Sequence, residues 1–369
     1  MIFFLGTEAV EMKRHERLLV AAAVTFALLF VAAALFSWQS GWLPLNGLSS
    51  EEATPVEIAV GGEAAASDNV IPLEYNWNYD RHPWQLTLSL PEDLYLYYRQ
   101  VERAATPDYS IYVTHPTDDA YVRSIADKLD DEAQRAGFDS EETVNFVASF
   151  VQSLDYLDEL NGEYPKYPVE TLVESGGDCE DTSILTAALL QAMGYDVVLL
   201  NFPPETADDA GHMAVGVALP LTSAGSYYEY QGAKYYYLET TNVSKLGDIP
   251  DDYRNWEATI LELVPKPVLK LSEVKWTMSP EWFGFGEDKL AVEVEVTNWG
   301  TADAEEVYVR AYFDEYETRT ATSDPFDLDF GYKISPITVG EIVVPSGGGT
   351  LCVDLIDDGT RVDSWSKVI

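Results

Sequence analysis

The chain has 369 residues, enough for two domains besides a tail, and its 47% hydrophobic content with 23 tyrosines can supply packed cores. Its 22 Lys and Arg stand against 63 Asp and Glu, a formal charge of −41 dispersed along the whole length. Nothing basic is gathered to release counterions from a phosphate backbone, which excludes a nucleic-acid partner. An acidic surface of this kind repels itself except where molar salt shortens the screening length to about 3 Å, so the composition is that of a protein for a high-salt milieu.

The first predicted element is a membrane helix. Leu18 to Phe36 is 19 residues without a charge, sufficient to cross about 30 Å of hydrocarbon. Lys13, Arg14 and Arg17 precede it, and Trp38 and Trp42 follow as interfacial aromatics. The positive flank puts residues 1–17 in the cytoplasm and everything after the helix outside. A cleaved signal peptide is the competing reading, with Ala32-Ala33-Ala34 as its cleavage site. Such peptides have shorter apolar cores, of about 7–15 residues. Both readings export the remainder, and Met12 offers a second start. Residues 37–70, rich in Ala, Gly, Ser and Glu without a sustained period, read as a stalk.

A first folded domain is expected over residues 71–265. Gln85 to Leu90 alternates as a strand and Pro91 ends it. Residues 118–136 and 141–157 read as helices, the second with Val144, Val147, Ala148 and Val151 at helical spacing. Ser183 to Met193 is apolar nearly all round, the mark of a buried helix, with Gly194 as its C-cap. Residues 197–202, 213–219 and 234–239 read as strands. In the last, alternation places Tyr235 and Tyr237 on one face and Tyr236 on the other.

Residues 266–369 differ. Leu290, Val292, Val294 and Val296 alternate with polar or small residues, and Val307, Val309, Ala311 and Phe313 repeat the pattern beyond Asn298-Trp299-Gly300. Strand-like runs at 337–344 and 351–356 follow. Short, evenly spaced strands without helices predict a β-sandwich, with Cys352 in its core. The stretch from Val292 to Phe313 resembles the adhesion-type immunoglobulin-like (CARDB) repeats of prokaryotic cell surfaces.

The chemistry-bearing segment is Gly176-Gly177-Asp178-Cys179-Glu180-Asp181-Thr182. Asp178 suits an N-cap, with Asp181 three residues on as in a capping box. That sets Cys179 in the first helical turn, where the dipole favours a thiolate. Asp178, Glu180 and Asp181 oppose it, because like charge raises a thiol pKa. A histidine is the natural counter-charge. His15 is on the far side of the membrane, His82 and His115 each precede a proline, and His212 follows Gly211 at the mouth of a predicted strand. Glu239, at the end of the tyrosine-rich strand, can orient the imidazole. Cys179 could instead be a core cysteine or pair with Cys352. The polar run around it argues against the first, and the separate predicted domains against the second.

Read in order, Gly177-Asp178-Cys179-Glu180-Asp181, Gly211-His212-Met213-Ala214-Val215 and Tyr237-Leu238-Glu239-Thr240-Thr241 resemble the transglutaminase-like, papain-related cysteine enzymes, here as a membrane-anchored haloarchaeal type. The resemblance spans roughly residues 75–262. It implies an α+β core in which the buried Cys helix packs on an antiparallel sheet, ahead of the all-β sandwich and behind the transmembrane helix. It makes Cys179 the nucleophile, His212 the general base and acid, and Glu239 the orienting carboxylate, where many members carry Asp. The Cys179 N–H with Gln152 or Tyr156 would bind the oxyanion. Some exported relatives bind calcium through acids beside the cysteine, and Asp178, Glu180 and Asp181 match these in type. No cofactor is otherwise required. The expected activity is acyl transfer through a thioester on an extracellular protein or peptide. The alternative is a non-catalytic surface scaffold or adhesion protein using the same fold for binding.

Overall fold

The structure is a computed structural model. It describes residues 54–60, 69–104, 106–158, 162–204, 211–220, 224–251, 253, 254, 256–279, 287–314 and 319–369. The expected membrane helix at 18–36, its cytoplasmic tail and the first part of the expected stalk lie outside the described residues. Among the described residues, no helix is long and apolar enough to cross a membrane.

Part of the segment expected as stalk is a strand. Val56–Val60 is a strand, β1, whose alternation buries Ile58 and Val60. It runs parallel to β3 (His82–Pro91), and β3 pairs on its other edge with β2 (Val70–Tyr79). The β2–β3 hairpin turns at Asp80 and Arg81, both at positive φ (47° and 64°). The alternation foreseen in β3 holds, with Trp84, Leu86, Leu88 and Leu90 all buried. Pro91 is its last residue and leads into α1 (Glu92–Gln100), a helix that the sequence reading omitted.

Two helices follow before the core: the single-turn α2 (Ser110–Val113) and α3 (Asp119–Ala136), the latter closed by Gly137 in the left-handed conformation at φ 80°. Next, α4 (Ser140–Val151) opens with a reciprocal capping box between Asp139 and Glu142. It ends at Val151 rather than at 157. The reason is a competing ladder: Asp155–Tyr156 (β4) lies beside Gly176–Gly177 (β5), Asp155 N–H donating to Ser175 and Leu157 N–H to Gly177. Between them, α5 (Pro168–Glu174) starts with proline at its first position, where the missing N–H is harmless.

The central helix is α6 (Cys179–Ala192). Every residue from Glu180 to Leu190 is buried, as its all-round apolar sequence predicts. It packs against an antiparallel sheet in the order β10-β6-β7-β9-β8 and, away from it, against α3 and α4. The strands are β6 (Asp196–Phe202), β7 (His212–Ala218), β8 (Tyr227–Tyr230), β9 (Ala233–Leu238) and β10 (Thr259–Glu262).

Two opposed sheets make up the C-terminal part. β11 (Leu269–Ser279), β12 (Lys289–Asn298) and β16 (Lys333–Val343) form one, in the order β11-β12-β16. The other is built on β13 (Ala304–Phe313), β17 (Thr350–Asp357) and β18 (Thr360–Val368), with the short β14 (Ala321–Thr322) and β15 (Phe326–Leu328) also on β13. Val292, Val294, Val307, Val309 and Val353 share their core. Cys352 does not belong to it: alternation sends Leu351, Val353 and Leu355 inward and leaves Cys352 on the other face, half-buried. Cys179 and Cys352 are both free thiols.

The start of α6 is fixed by a buried acid. Asp181, fully buried, accepts from the Lys166 backbone N–H at 2.7 Å and from the Asp178 N–H at 3.4 Å, and faces the Lys166 ammonium at 2.8 Å. Gly177 is required next to it, because a Cβ there would collide with the Asp181 side chain. Truncating one partner of a buried pair leaves a charge uncompensated. Lys166→Met is therefore expected to destabilise the protein by about 3–5 kcal/mol, read as a lowered denaturant midpoint in high salt with an unchanged slope. A loss under about 1 kcal/mol would mean that the pair is solvated like a surface bridge.

Candidate active site

The described histidines separate by surroundings. His82 is exposed and bonded to the Asp80 carbonyl. His115 is buried among Tyr98, Tyr167 and Phe330, and burial holds it down to about 4. His212 opens β7 and sits 3.3 Å from a Glu239 carboxylate oxygen through Nε2. The Tyr237 hydroxyl lies 3.2 Å from the same nitrogen and donates to that oxygen at 2.6 Å. Both contacts use Nε2, leaving Nδ1 as the nitrogen available to a thiol.

Glu239 stands just past the end of β9 and is buried. Its second oxygen accepts from the backbone N–H groups of Thr240 and Thr241, each at 3.0 Å, and from the Thr241 hydroxyl at 2.7 Å. Burial alone would raise this carboxyl. His212, Tyr237 and the Thr241 N–H outweigh burial and hold it at about 2, against an ordinary 4.5. The substitution of Glu for the more common Asp thus leaves the imidazole–carboxylate contact intact.

Helix α6 is tied to the same turn. The Thr182 and Ser183 hydroxyls lie 2.9 and 3.0 Å from the Thr240 hydroxyl, next in sequence to Glu239. The Cys helix and the carboxylate are therefore held by one buried hydroxyl cluster. At the helix start, the Cys179 sulfur donates to Glu180 Oε2 at 3.3 Å and makes no hydrogen bond to His212. Burial and the Glu180 carboxyl push the thiol far above its ordinary range, while the backbone N–H of Met213, adjacent to His212, works the other way. Glu180 is itself raised, first by burial and then by Glu163 and Asp178.

The remaining expected site residues fare differently. Gln152 is not an oxyanion donor: its amide donates to the Glu239 carbonyl at 2.8 Å and the Ser244 carbonyl at 3.1 Å. It braces the turn that carries the carboxylate. Tyr156 is more than half exposed on β4, its backbone pairs with Gly177, two residues before Cys179, and its hydroxyl is raised to about 12 by burial and then by the Cys179 thiol and Asp178. Asp178, Glu180 and Asp181 do not fit calcium, which takes 6–8 oxygens. Asp181 is taken by Lys166, and Glu180 faces the thiol and its acid neighbours. Among the described residues, no three His, Cys, Asp or Glu side chains are grouped to hold a metal ion. A cavity of about 670 Å³ touches Gln152 and Ser244 but neither Cys179 nor His212.

Three contributors were missed in the sequence. Tyr237 was read as a sheet residue, although the two-residue period already put it on the Glu239 side of the strand. Lys166, between Pro165 and Tyr167-Pro168, carries no periodic signal. Tyr253, whose ring lies on the His212 imidazole at 4.2 Å and 8° between planes, left no sequence signal, because it comes from a loop.

Glu239 gives a pH prediction. A carboxyl depressed on folding contributes stability that is present above its ordinary 4.5 and lost as pH falls towards 2. The parent is expected to lose denaturation midpoint steeply between about pH 5 and 2, and Glu239→Gln to show a flatter curve over that window. Parallel curves would refute the depressed carboxyl.

Three solved structures to which the chain is similar are a candidate cysteine protease of Cytophaga hutchinsonii, the red sea bream transglutaminase, and a β-glucosidase involved in saponin metabolism from intestinal bacteria. The first is 11% identical, covering 74% of this chain and 85% of that one at a TM-score of 0.26. The transglutaminase is 10% identical, over 81% of this chain and 61% of that one, at 0.23. The glucosidase is 13% identical, over 39% and 20%, at 0.19. The match thus spans less than two thirds of the transglutaminase, and at these TM-scores none of the three is an argument about this chain. No curated protein matches it. A family model for a transglutaminase-like domain matches residues 121–228, which hold Cys179 and His212 and stop short of Glu239. The similarity to that family is confined to this stretch, under a third of the chain.

Proposed function

We propose that the protein is a thiol acyl-transfer enzyme in which Cys179 is the nucleophile, His212 the general base and acid, and Glu239 the carboxylate that orients the imidazole. The observation that carries the reading is the His212–Glu239 contact, made through Nε2 and linked by Thr240 to the helix that begins with Cys179. In the reaction the thiol swings from Glu180 to His212 and gives its proton to Nδ1. The sulfur then attacks a carboxamide or peptide carbonyl. The tetrahedral oxyanion is met by the Cys179 backbone N–H and the Tyr156 hydroxyl. His212 returns the proton to the leaving nitrogen, and a thioester remains. Water or a second amine, deprotonated by His212, attacks the thioester and releases acid or transferred amide with the thiol restored. The substrate is a protein or peptide, outside a membrane in which residues 18–36 are the anchor, in high salt.

Burial and the Glu180 contact also suit a second reading, in which the thiol is inert and the domain only binds. Labelling of the full-length chain with iodoacetamide or peptide-aldehyde probes in high salt separates the two. Cys179→Ala is expected to abolish rapid labelling, Cys352→Ala to preserve it, and His212→Ala to slow it by about a hundredfold or more. Rapid labelling that survives in Cys179→Ala and disappears in Cys352→Ala would overturn the assignment.

A further inference from the structure

The face of the His212 ring has a partner that the thiol–imidazole–carboxylate reading does not use. Tyr253 stacks on it with centroids 4.2 Å apart and planes 8° from parallel. The Tyr253 ring is itself fixed. Trp256 meets it edge-on at 5.5 Å and Phe202 at 6.1 Å. The turn that carries it is closed by hydrogen bonds from Tyr253 N–H to the Pro250 carbonyl and from Trp256 N–H to the Tyr253 carbonyl, each 3.1 Å. The Tyr228 hydroxyl reaches the Trp256 carbonyl at 3.4 Å. Phe202 also stands 6.0 Å from the imidazole.

The imidazole is thus held at one edge and on one face. The edge contacts to Glu239 and Tyr237 fix which nitrogen points away from them, but they permit the ring to rock about that axis. A parallel ring at 4.2 Å removes this freedom. An electron-rich ring face within about 6 Å also attracts a cation. Among the described residues, the titratable groups in contact with the His212 ring are Glu239 and Tyr237 on the β9 side and Tyr253 on the face. The Cys179 thiol, with Glu180 behind it, lies on the Met213 side.

We propose that Tyr253 is a positioning residue of the thiol chemistry, holding the His212 ring plane and stabilising the imidazolium that must accompany the Cys179 thiolate. The proposal rests on the catalytic reading above. It gives the acidic surroundings of the thiol a specific counterweight: an imidazolium faced by an electron-rich ring rather than by a second cation.

The test is the pH dependence of iodoacetamide labelling at Cys179 in the full-length chain in high salt, with Cys352→Ala as background and melting curves for every variant. Tyr253→Leu is expected to slow labelling at neutral pH by about three- to tenfold and to move the half-maximal pH upward by a corresponding half to one unit. Tyr253→Phe, which keeps the ring and loses the hydroxyl, is expected to match the parent. Pentafluorophenylalanine at 253 keeps the shape and reverses the charge of the ring face, so it is expected to behave as Tyr253→Leu does. It decides the matter if the leucine variant does not fold. The proposal is overturned if the fluorinated ring labels like the parent, or if Tyr253→Phe is as slow as Tyr253→Leu, which would assign the effect to the hydroxyl. A His212→Ala variant that labels as fast as the parent would instead remove the catalytic reading itself.

Discussion

Asp181 is a carboxylate sealed from water in a chain with nearly three acids for every base, and the position of the candidate nucleophile follows from how that carboxylate is held. A buried anion is tolerable only when donors surround it. Here these are the Lys166 backbone, the Lys166 ammonium and the Asp178 N–H. Together they fix the first turn of α6. Gly177 has no side chain because Asp181 occupies the space where one would be. Thr182 and Ser183 then point at Thr240, Thr240 fixes the turn holding Glu239, and Glu239 holds His212. Gln152 braces the same turn from behind. The site is one connected set of buried polar contacts in which every link positions the next.

Electrostatics runs against the proposed chemistry at the thiol. The helix start favours an anion on Cys179 by a fraction of a kcal/mol to about 1 kcal/mol. Burial and the Glu180 carboxyl work in the other direction, and the sulfur rests as a donor to Glu180. In the proposed reaction the thiol gives its proton to the His212 imidazole, which Glu239 holds at its edge and Tyr253 covers on its face.

The C-terminal sheets do not hang from the core on a bare linker. Thr301 meets the Thr114 hydroxyl at 2.8 Å, Lys266 pairs with Asp108 at 2.7 Å, and Phe330 touches the buried His115. Gly300 is needed at this seam because a Cβ would strike the backbone of residues 266–268. The seam joins the two parts through a hydroxyl pair, an ion pair and a ring contact.

What could be read from the sequence is what depends on neighbours along the chain. The all-round apolar run identified a buried helix, the Asp178–Asp181 spacing gave its cap, and strict alternation over 290–296 and 307–313 gave strands with the correct inward faces. Cys179, His212 and Glu239 were readable because each stands at the end of such an element. The tertiary structure decided whatever depends on partners distant in the chain. α4 stops at Val151 because residues near 176 offer a ladder. Gln152 serves as a brace because the Glu239 carbonyl takes its amide. Cys352 faces away from the core because register, not composition, selects the inner face. Tyr253 reaches His212 from a loop with no period to betray it. The fourth group at the candidate site is therefore visible only once the chain has folded, because stacking needs two rings at one place in space and places no demand on their spacing in sequence.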